Sequence, residues 1–369
     1  MRDQFLLNPD VVFLNHGSFG ACPIPVFDDY QRWQRELERQ PVAFLGRHAD
    51  SLLDAARAVL ATYLVADVEN LIFVPNATSG VNIVARSLPL QPGDEILTTD
   101  HEYGAVDRTW EFVSQKTGAR LVRQAFPLPL ADPDAFVEQF WAGVTPRTRV
   151  IALSHMTSPT AVIFPVEAIC QRARAAGIMT VIDGAHVPGH LPLNLTALDA
   201  DFYTGNLHKW LCAPKGAAFL YARPEYHAML EPMTISWGWT PEASFVTRHQ
   251  WQGTRDIAAF LSVPAAIDFQ IGWEDLRQQC HEHAIILRER LCDLTGLPPI
   301  ASEYAFRQMF TVALPPCNPE ALKTALYDHY RVEVPVVVWQ DAVYLRVSIQ
   351  VYNTLEDGDV LVEALSALL

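Results

Sequence analysis

Between about residue 70 and residue 222, short and nearly unbroken apolar runs alternate with longer stretches whose apolar residues recur every three or four positions. The runs at 71–74, 95–99, 120–124, 150–154, 178–183, 201–204 and 217–221 read as strands. The periodic stretches at 81–88, 103–117, 133–142 and 166–176 read as helices. Strands alternating with helices predict crossover connections on a mostly parallel sheet, and continuous apolar runs predict strands covered on both faces. After about residue 256 the pattern changes. Helical stretches at 257–269 and 273–294 are followed by strands at 309–314, 332–339 and 344–349, with helices at 319–330 and 355–368. Thr354, with Asp357 three residues on, marks the start of the last helix.

The expected fold is therefore α/β. A large domain with a mostly parallel sheet of the seven-stranded type, flanked by helices, is joined to a smaller C-terminal α+β domain. We place an N-terminal segment at 1–40, packing with the small domain, the large domain at 41–256 and the small domain at 257–369. The chain's 369 residues exceed the length at which one core usually splits in two.

Composition narrows the partners. A net charge of −15 repels nucleic acid and anionic membranes, so neither is expected. No apolar stretch reaches the roughly 18–20 residues that span a bilayer, and the opening does not read as a signal peptide. Six cysteines occur without a CxxC pair, which argues against a disulfide framework or a metal site and for reduced thiols in the cytoplasm.

Candidate chemistry collects at the carboxyl ends of the strands, the edge where open α/β sheets bind ligands. Asn76-Ala77-Thr78-Ser79-Gly80 lies between a strand and a helix, where free amides and hydroxyls suit a phosphate or an ordinary helix cap. Asp183, in Asp183-Gly184-Ala185-His186, ends an apolar strand and needs a cationic partner there. Lys209 follows a strand and is flanked by Asn206, His208 and Trp210, unlike a solvated surface lysine. Arg346 sits inside the apolar run Leu345-Arg346-Val347-Ser348-Ile349, where a guanidinium needs an anion and grips a carboxylate well.

Taken in order, phosphate loop, acidic strand end and lysine, the chain resembles the class V branch of the fold-type I pyridoxal-5′-phosphate (PLP) enzymes. The resemblance runs nearly end to end. The opening Phe13-Leu14-Asn15-His16-Gly17-Ser18-Phe19-Gly20 is most similar to the isopenicillin N epimerase-like subgroup. The resemblance implies PLP as cofactor, held as a Schiff base on Lys209, which also moves the α-proton of a small amino-acid substrate. It implies that Asp183 pairs with the pyridine nitrogen and that His186 approaches the ring's 3-oxygen. Thr78, with the amides of Ala77 and Ser79 and helped by His208, would hold the phosphate. Tyr103 would stack on the ring, with His101 as its rival. Gly253 and Thr254 resemble the segment that a neighbouring subunit lends to the phosphate, implying a homodimer with shared sites. Arg346 would take the α-carboxylate, and Asn15 and His16 would line the substrate side.

The chain departs from the family pattern in two places. No cysteine lies within 334–344, so a persulfide-forming desulfurase is not expected. Asn206 stands where many relatives have a phosphate-binding serine. Arg47 and His48 read as a solvated helix face, and Arg255 as a residue within reach of a substrate acid group across a dimer. Epimerase, carbon–sulfur lyase and aminotransferase all remain open, as does a non-catalytic sensor of PLP or an amino acid. The lysine, aspartate and arginine together argue against the last.

Overall fold

A computed structural model describes residues 1–130 and 132–369. Its strands are β1 (Val12–Phe13), β2 (Leu71–Val74), β3 (Glu95–Thr99), β4 (Arg120–Gln124), β5 (Thr148–Ser154), β6 (Met179–Asp183), β7 (Phe202–Asn206) and β8 (Ala218–Ala222), then β9 (Met309–Ala313), β10 (Val332–Glu333), β11 (Val336–Trp339) and β12 (Ala342–Ser348). A seven-stranded sheet has the order β2-β8-β7-β6-β5-β3-β4. Only β8 runs against its neighbours in it; the remaining pairs are parallel.

Alternate residues explain the unbroken apolar runs. Leu71 and Phe73 of β2 enter one hydrophobic cluster, while Ile72 and Val74 enter another on the opposite face. Ile151 and Leu153 of β5 join the first cluster, and Val150 and Ala152 the second. A strand covered on both sides has no polar face. A third cluster fills the C-terminal part, where the antiparallel sheet β11-β12-β9 packs with the helices Glu274–Thr295 and Leu355–Leu368.

Three elements differ from the sequence-based reading, each for a local reason. The helix expected at 81–88 runs Ala77–Ser87, because the Asn76 side chain accepts the Ser79 amide and caps it. The helix expected over 257–269 is two, Ala258–Leu261 and Val263–Phe269, with Pro264 in the first turn of the second. The strand expected at 332–339 is split around Pro335: β10 pairs in parallel with β1, and β11 pairs with β12. The capping box at Thr354 and Asp357 is formed as read. Among the described residues no helix is long and apolar enough to cross a membrane, and the six cysteines are free.

The pairing of β1 with β10 straps the N-terminal segment to the C-terminal part. The Ser348 amide donates to the Leu14 carbonyl at 2.9 Å, and the Gly17 amide to Ser348 Oγ at 3.1 Å. The strap then crosses to the large sheet at Gly20, whose φ is +70°. A side chain there would overlap the His208 carbonyl oxygen and come within 2.7 Å of the Lys209 carbonyl oxygen. We expect Gly20→Ala to lower the urea unfolding midpoint, with a cost of about 1–3 kcal/mol from the left-handed backbone and the overlap. Gly46→Ala, at an exposed helical position with open space around it, is the control that should not lower the midpoint.

Candidate active site

Four parallel strands end at one cavity of about 530 Å³. From β2 come Ala77, Thr78 and Ser79 at the start of the capped helix, from β5 Ser154, and from β6 Asp183 and His186. From β7 come Asn206 and then His208 and Lys209, which sit in the loop that turns the chain back into antiparallel β8. Tyr103, at the N-terminus of the helix after β3, also lines it. The sequence-predicted lysine, aspartate, histidines and phosphate-loop residues are thus in one place.

His101 is not among them. It is fully buried, with Nδ1 against Thr160 Oγ1 at 2.9 Å and Nε2 against the Phe126 carbonyl at 2.7 Å, and its ring lies on Trp339. Both nitrogens are engaged away from the cavity, so Tyr103 alone of the two rivals reaches it.

Burial lowers the Lys209 amine from the usual lysine range to about 7; the Arg346 charge adds to this and Asp183 opposes it. Its Nζ lies 3.2 Å from His186 Nε2. Asp183 is buried, accepts the Ala185 amide at 2.9 Å and has no ion-pair partner among the described residues. Burial raises its pKa, against the Ala185 amide and the Lys209 charge. A second carboxyl, half-buried and missed by the sequence reading, acts on it through its charge. Burial pushes Glu102 up to about 7, with Asp183 adding to the rise against hydrogen bonds from Ser154 and Thr99. Its only sequence signal was its place between His101 and Tyr103.

Arg346 is buried on β12 and has no carboxylate partner among the described residues. It donates to the Ser158 carbonyl (2.7 Å), Ser158 Oγ (3.1 Å) and Ser18 Oγ (2.9 Å), and its Nε has no partner. Burial lowers it to about 10. Ser18 and Ser158 both line the cavity, and neither was singled out in the sequence.

Two expected substrate-side residues are placed differently. His16 is fully buried, holding the Lys209 carbonyl with Nε2 (3.0 Å) and meeting the Tyr352 hydroxyl with Nδ1 (2.9 Å). It supports the lysine loop from below instead of lining the cavity. Asn15 donates to Glu333 Oε1 at 2.9 Å and accepts from Ser18 Oγ, so it stands one residue behind the cavity wall.

The phosphate end also needs correction. The Ala77 amide donates to Asn206 Oδ1 at 2.8 Å, and the Ser79 amide to Asn76 Oδ1 at 2.8 Å. Both amides expected to hold phosphate are taken by side chains, which leaves Thr78 and the Nε2 side of His208. His208 Nδ1 donates to the Ala217 carbonyl at 2.9 Å. Gly253 and Thr254 do not line this cavity; Thr254 lines a different one of about 860 Å³, beside Trp237. Arg47 and His48 are exposed, and Arg255 lies over the Phe260 ring.

The donor set fits PLP. A lysine amine with a lowered pKa suits an aldehyde, an unpaired buried carboxylate suits a pyridine nitrogen, and a helix start with a free hydroxyl suits a phosphate. The Arg346 guanidinium, which has no anion among the described residues, suits a carboxylate. Among the described residues, no cluster of three or more His, Cys, Asp or Glu could hold a metal ion.

Comparison with known proteins agrees with this geometry. The Aminotransferase class-V family model matches residues 24–361. Isopenicillin N epimerase of Amycolatopsis lactamdurans is 39% identical over 390 residues, covering 100% of this chain and 97% of that protein. Putative L-cysteine desulfhydrase 1 of Oryza sativa subsp. japonica is 31% identical over 402 residues, covering 97% and 83% respectively. A solved structure of a C-DES variant, with glycine covalently linked to its PLP cofactor, superposes with a TM-score of 0.88 at 21% identity over 99% of each chain.

The lowered lysine pKa has a direct readout. Brief labelling of the cofactor-stripped, full-length protein with acetic anhydride, followed by peptide mass spectrometry, should modify Lys209 with a midpoint near pH 7. A Lys209 midpoint above 9 would show that the cavity does not neutralise it.

Proposed function

Because this chain belongs to the class V aminotransferase family, we propose that it is a PLP-dependent enzyme acting at Cα or Cβ of a small amino acid, of the isopenicillin N epimerase-like kind. The observation that carries the reading is one cavity lined by an amine near neutrality (Lys209) and a carboxyl without an ion-pair partner among the described residues (Asp183), with the Arg346 guanidinium bonded directly behind it to the lining residues Ser18 and Ser158.

When bound, PLP supplies an electron sink that makes the substrate's Cα–H acidic. The chain's own residues do the rest. Lys209 is the attachment point, and at neutral pH its Nζ can accept the Cα proton. Asp183 balances the positive charge of the pyridine nitrogen. Arg346 takes the α-carboxylate and so fixes which bond at Cα faces Lys209, a positioning effect. Thr78 and His208 face the phosphate.

The products depend on where the proton goes next. Epimerisation requires a second donor, and Tyr103 is our candidate. A lyase instead needs a leaving group at Cβ, and similarity to a relative named as an L-cysteine desulfhydrase supports that second reading. An aminotransferase ranks third. A sensor has no use for Lys209, Asp183 and Arg346 arranged together.

We read the assembly as a homodimer. Gly253 and Thr254 lie outside their own chain's cofactor cavity, and Thr254 shares a second cavity with Trp237, which is 93% exposed. A partner's cavity is the natural destination of that segment. We also favour a division of the chain into 1–40, 41–256 and 257–369, and residence in the cytoplasm, the latter on six cysteines without a disulfide.

Three experiments test these readings. The protein purified with PLP should show a visible absorbance band that borohydride removes, and Lys209→Ala should lack it. A wild type that stays colourless with added PLP would falsify the cofactor assignment. Incubation with a panel including cysteine, cystine and cysteine sulfoxides should release pyruvate and ammonia from a lyase, with sulfide from cysteine, a persulfide from cystine or a sulfenic acid from a sulfoxide, or change optical rotation alone with an epimerase. Arg346→Met should lower kcat/KM by roughly 10²–10³-fold, and that penalty should vanish with an amine substrate lacking the carboxylate. An equal loss with both substrates would place Arg346 outside substrate binding.

A further inference from the structure

The residue after the lysine, Trp210, is fully buried and takes no part in the cavity wall. Its indole Nε1 donates to His186 Nδ1 at 3.3 Å. The ring is clamped from both sides. His190 stacks on it at 4.0 Å with an interplanar angle of 21°, and His16 lies against it at 4.9 Å. Gln270 Nε2 donates to the Trp210 carbonyl at 2.7 Å. His190 is itself fixed, since the Gln308 amide donates to its Nε2 and its Nδ1 meets the His186 carbonyl.

An indole N–H can only donate. His186 Nδ1 must therefore accept, and a neutral imidazole that accepts at Nδ1 carries its proton on Nε2. That atom lies 3.2 Å from Lys209 Nζ. An Nε2–H can only donate, so Lys209 must accept with its lone pair. An ammonium group has no lone pair to offer. We infer that Trp210 is a positioning residue that fixes the His186 tautomer and so holds Lys209 as the free amine. The inference rests on the reading of Lys209 as the reactive amine, and it explains why a tryptophan that cannot touch substrate follows the lysine.

Other charges act on the same pair. Arg346, on β12, disfavours protonation of both Lys209 and His186, while Asp183, at the end of β6, favours a charged Lys209. His190 acts on His186 and His208 sits beside Lys209; burial lowers both, to about 3 and about 4. Burial and the neighbouring charges hold His186 well below the usual imidazole range, which removes the doubly protonated ring as an alternative. Those fields are present with or without the indole N–H. The Trp210 contribution is directional, and it can be removed without altering them.

The test replaces Trp210 by 3-benzothienylalanine, which keeps the shape and exchanges the N–H for sulfur, in the full-length, cofactor-stripped protein. Acetic anhydride labelling of Lys209 is followed from pH 5 to 10. We expect the labelling midpoint to rise by about 0.5–1 pH unit, the effect of one lost donor. An unchanged midpoint, with circular dichroism and the urea midpoint also unchanged, overturns the inference. Should the analogue not fold, His186→Asn and the double variant His186→Asn with Trp210→Phe serve instead. Trp210→Phe should add nothing in the His186→Asn background, and an added shift there overturns the inference. Because no PLP is present, the result stands apart from the cofactor assignment, which the colour of the purified protein decides.

Discussion

The structure is organised around an amine kept out of water. A lysine buried without a close counter-ion loses the hydration of its charged form, and its pKa falls until the neutral form dominates. Lys209 meets that condition because its loop returns the chain into β8, the antiparallel strand of the large sheet, and is held below by His16 and beside by His186. The chemistry proposed for the chain needs that neutral nitrogen. A surface lysine, charged at neutral pH, could neither hold an aldehyde nor take a proton from carbon.

A low-dielectric site containing cations has to be balanced. Here Arg346 carries the charge, Lys209 is held near neutrality, and the carboxyls in the balance are the buried Asp183 and the half-buried Glu102. Asp183 has its second oxygen free of protein partners, whereas Glu102 is tied to Ser154 and Thr99. The difference separates their roles. Asp183 is available to a positive group entering the cavity, and Glu102 and Asp183 act on each other through their charges. The large sheet makes the arrangement possible, because parallel strands covered on both faces leave only their carboxyl ends for polar groups.

The alternation of strands and helices was legible in the sequence because each element buries its residues with a period set by its own geometry. Asp183 and Arg346 stood out as polar residues at the end of, or inside, an apolar run, Lys209 as a lysine after a strand flanked by Asn206, His208 and Trp210, and His186 through the family resemblance. The misreadings arise where distant contacts decide. Asn15 and His16 were visible as a pattern, but their partners Glu333 and Lys209 lie 318 and 193 residues away. The Ala77 amide is filled by Asn206, 129 residues later. Pro335 and Pro264 did signal their breaks, and the apolar periodicity overrode that signal. His101 and Tyr103 are two residues apart, and only burial separated them.

The two ends of the proposed chemistry belong to different sheets. Lys209 follows β7, and Arg346 lies on β12, so their spacing is set by whatever joins those sheets. The N-terminal strap does this within a few residues. Val12 and Phe13 pair with β10, Gly17 bonds Ser348, Ser18 bonds Arg346, His16 bonds the Lys209 carbonyl, and Gly20 packs on His208. One short segment therefore holds both the group that accepts a proton and the group that orients the bond it leaves. That makes its glycines and short polar side chains as restrictive for reaction geometry as the lysine itself.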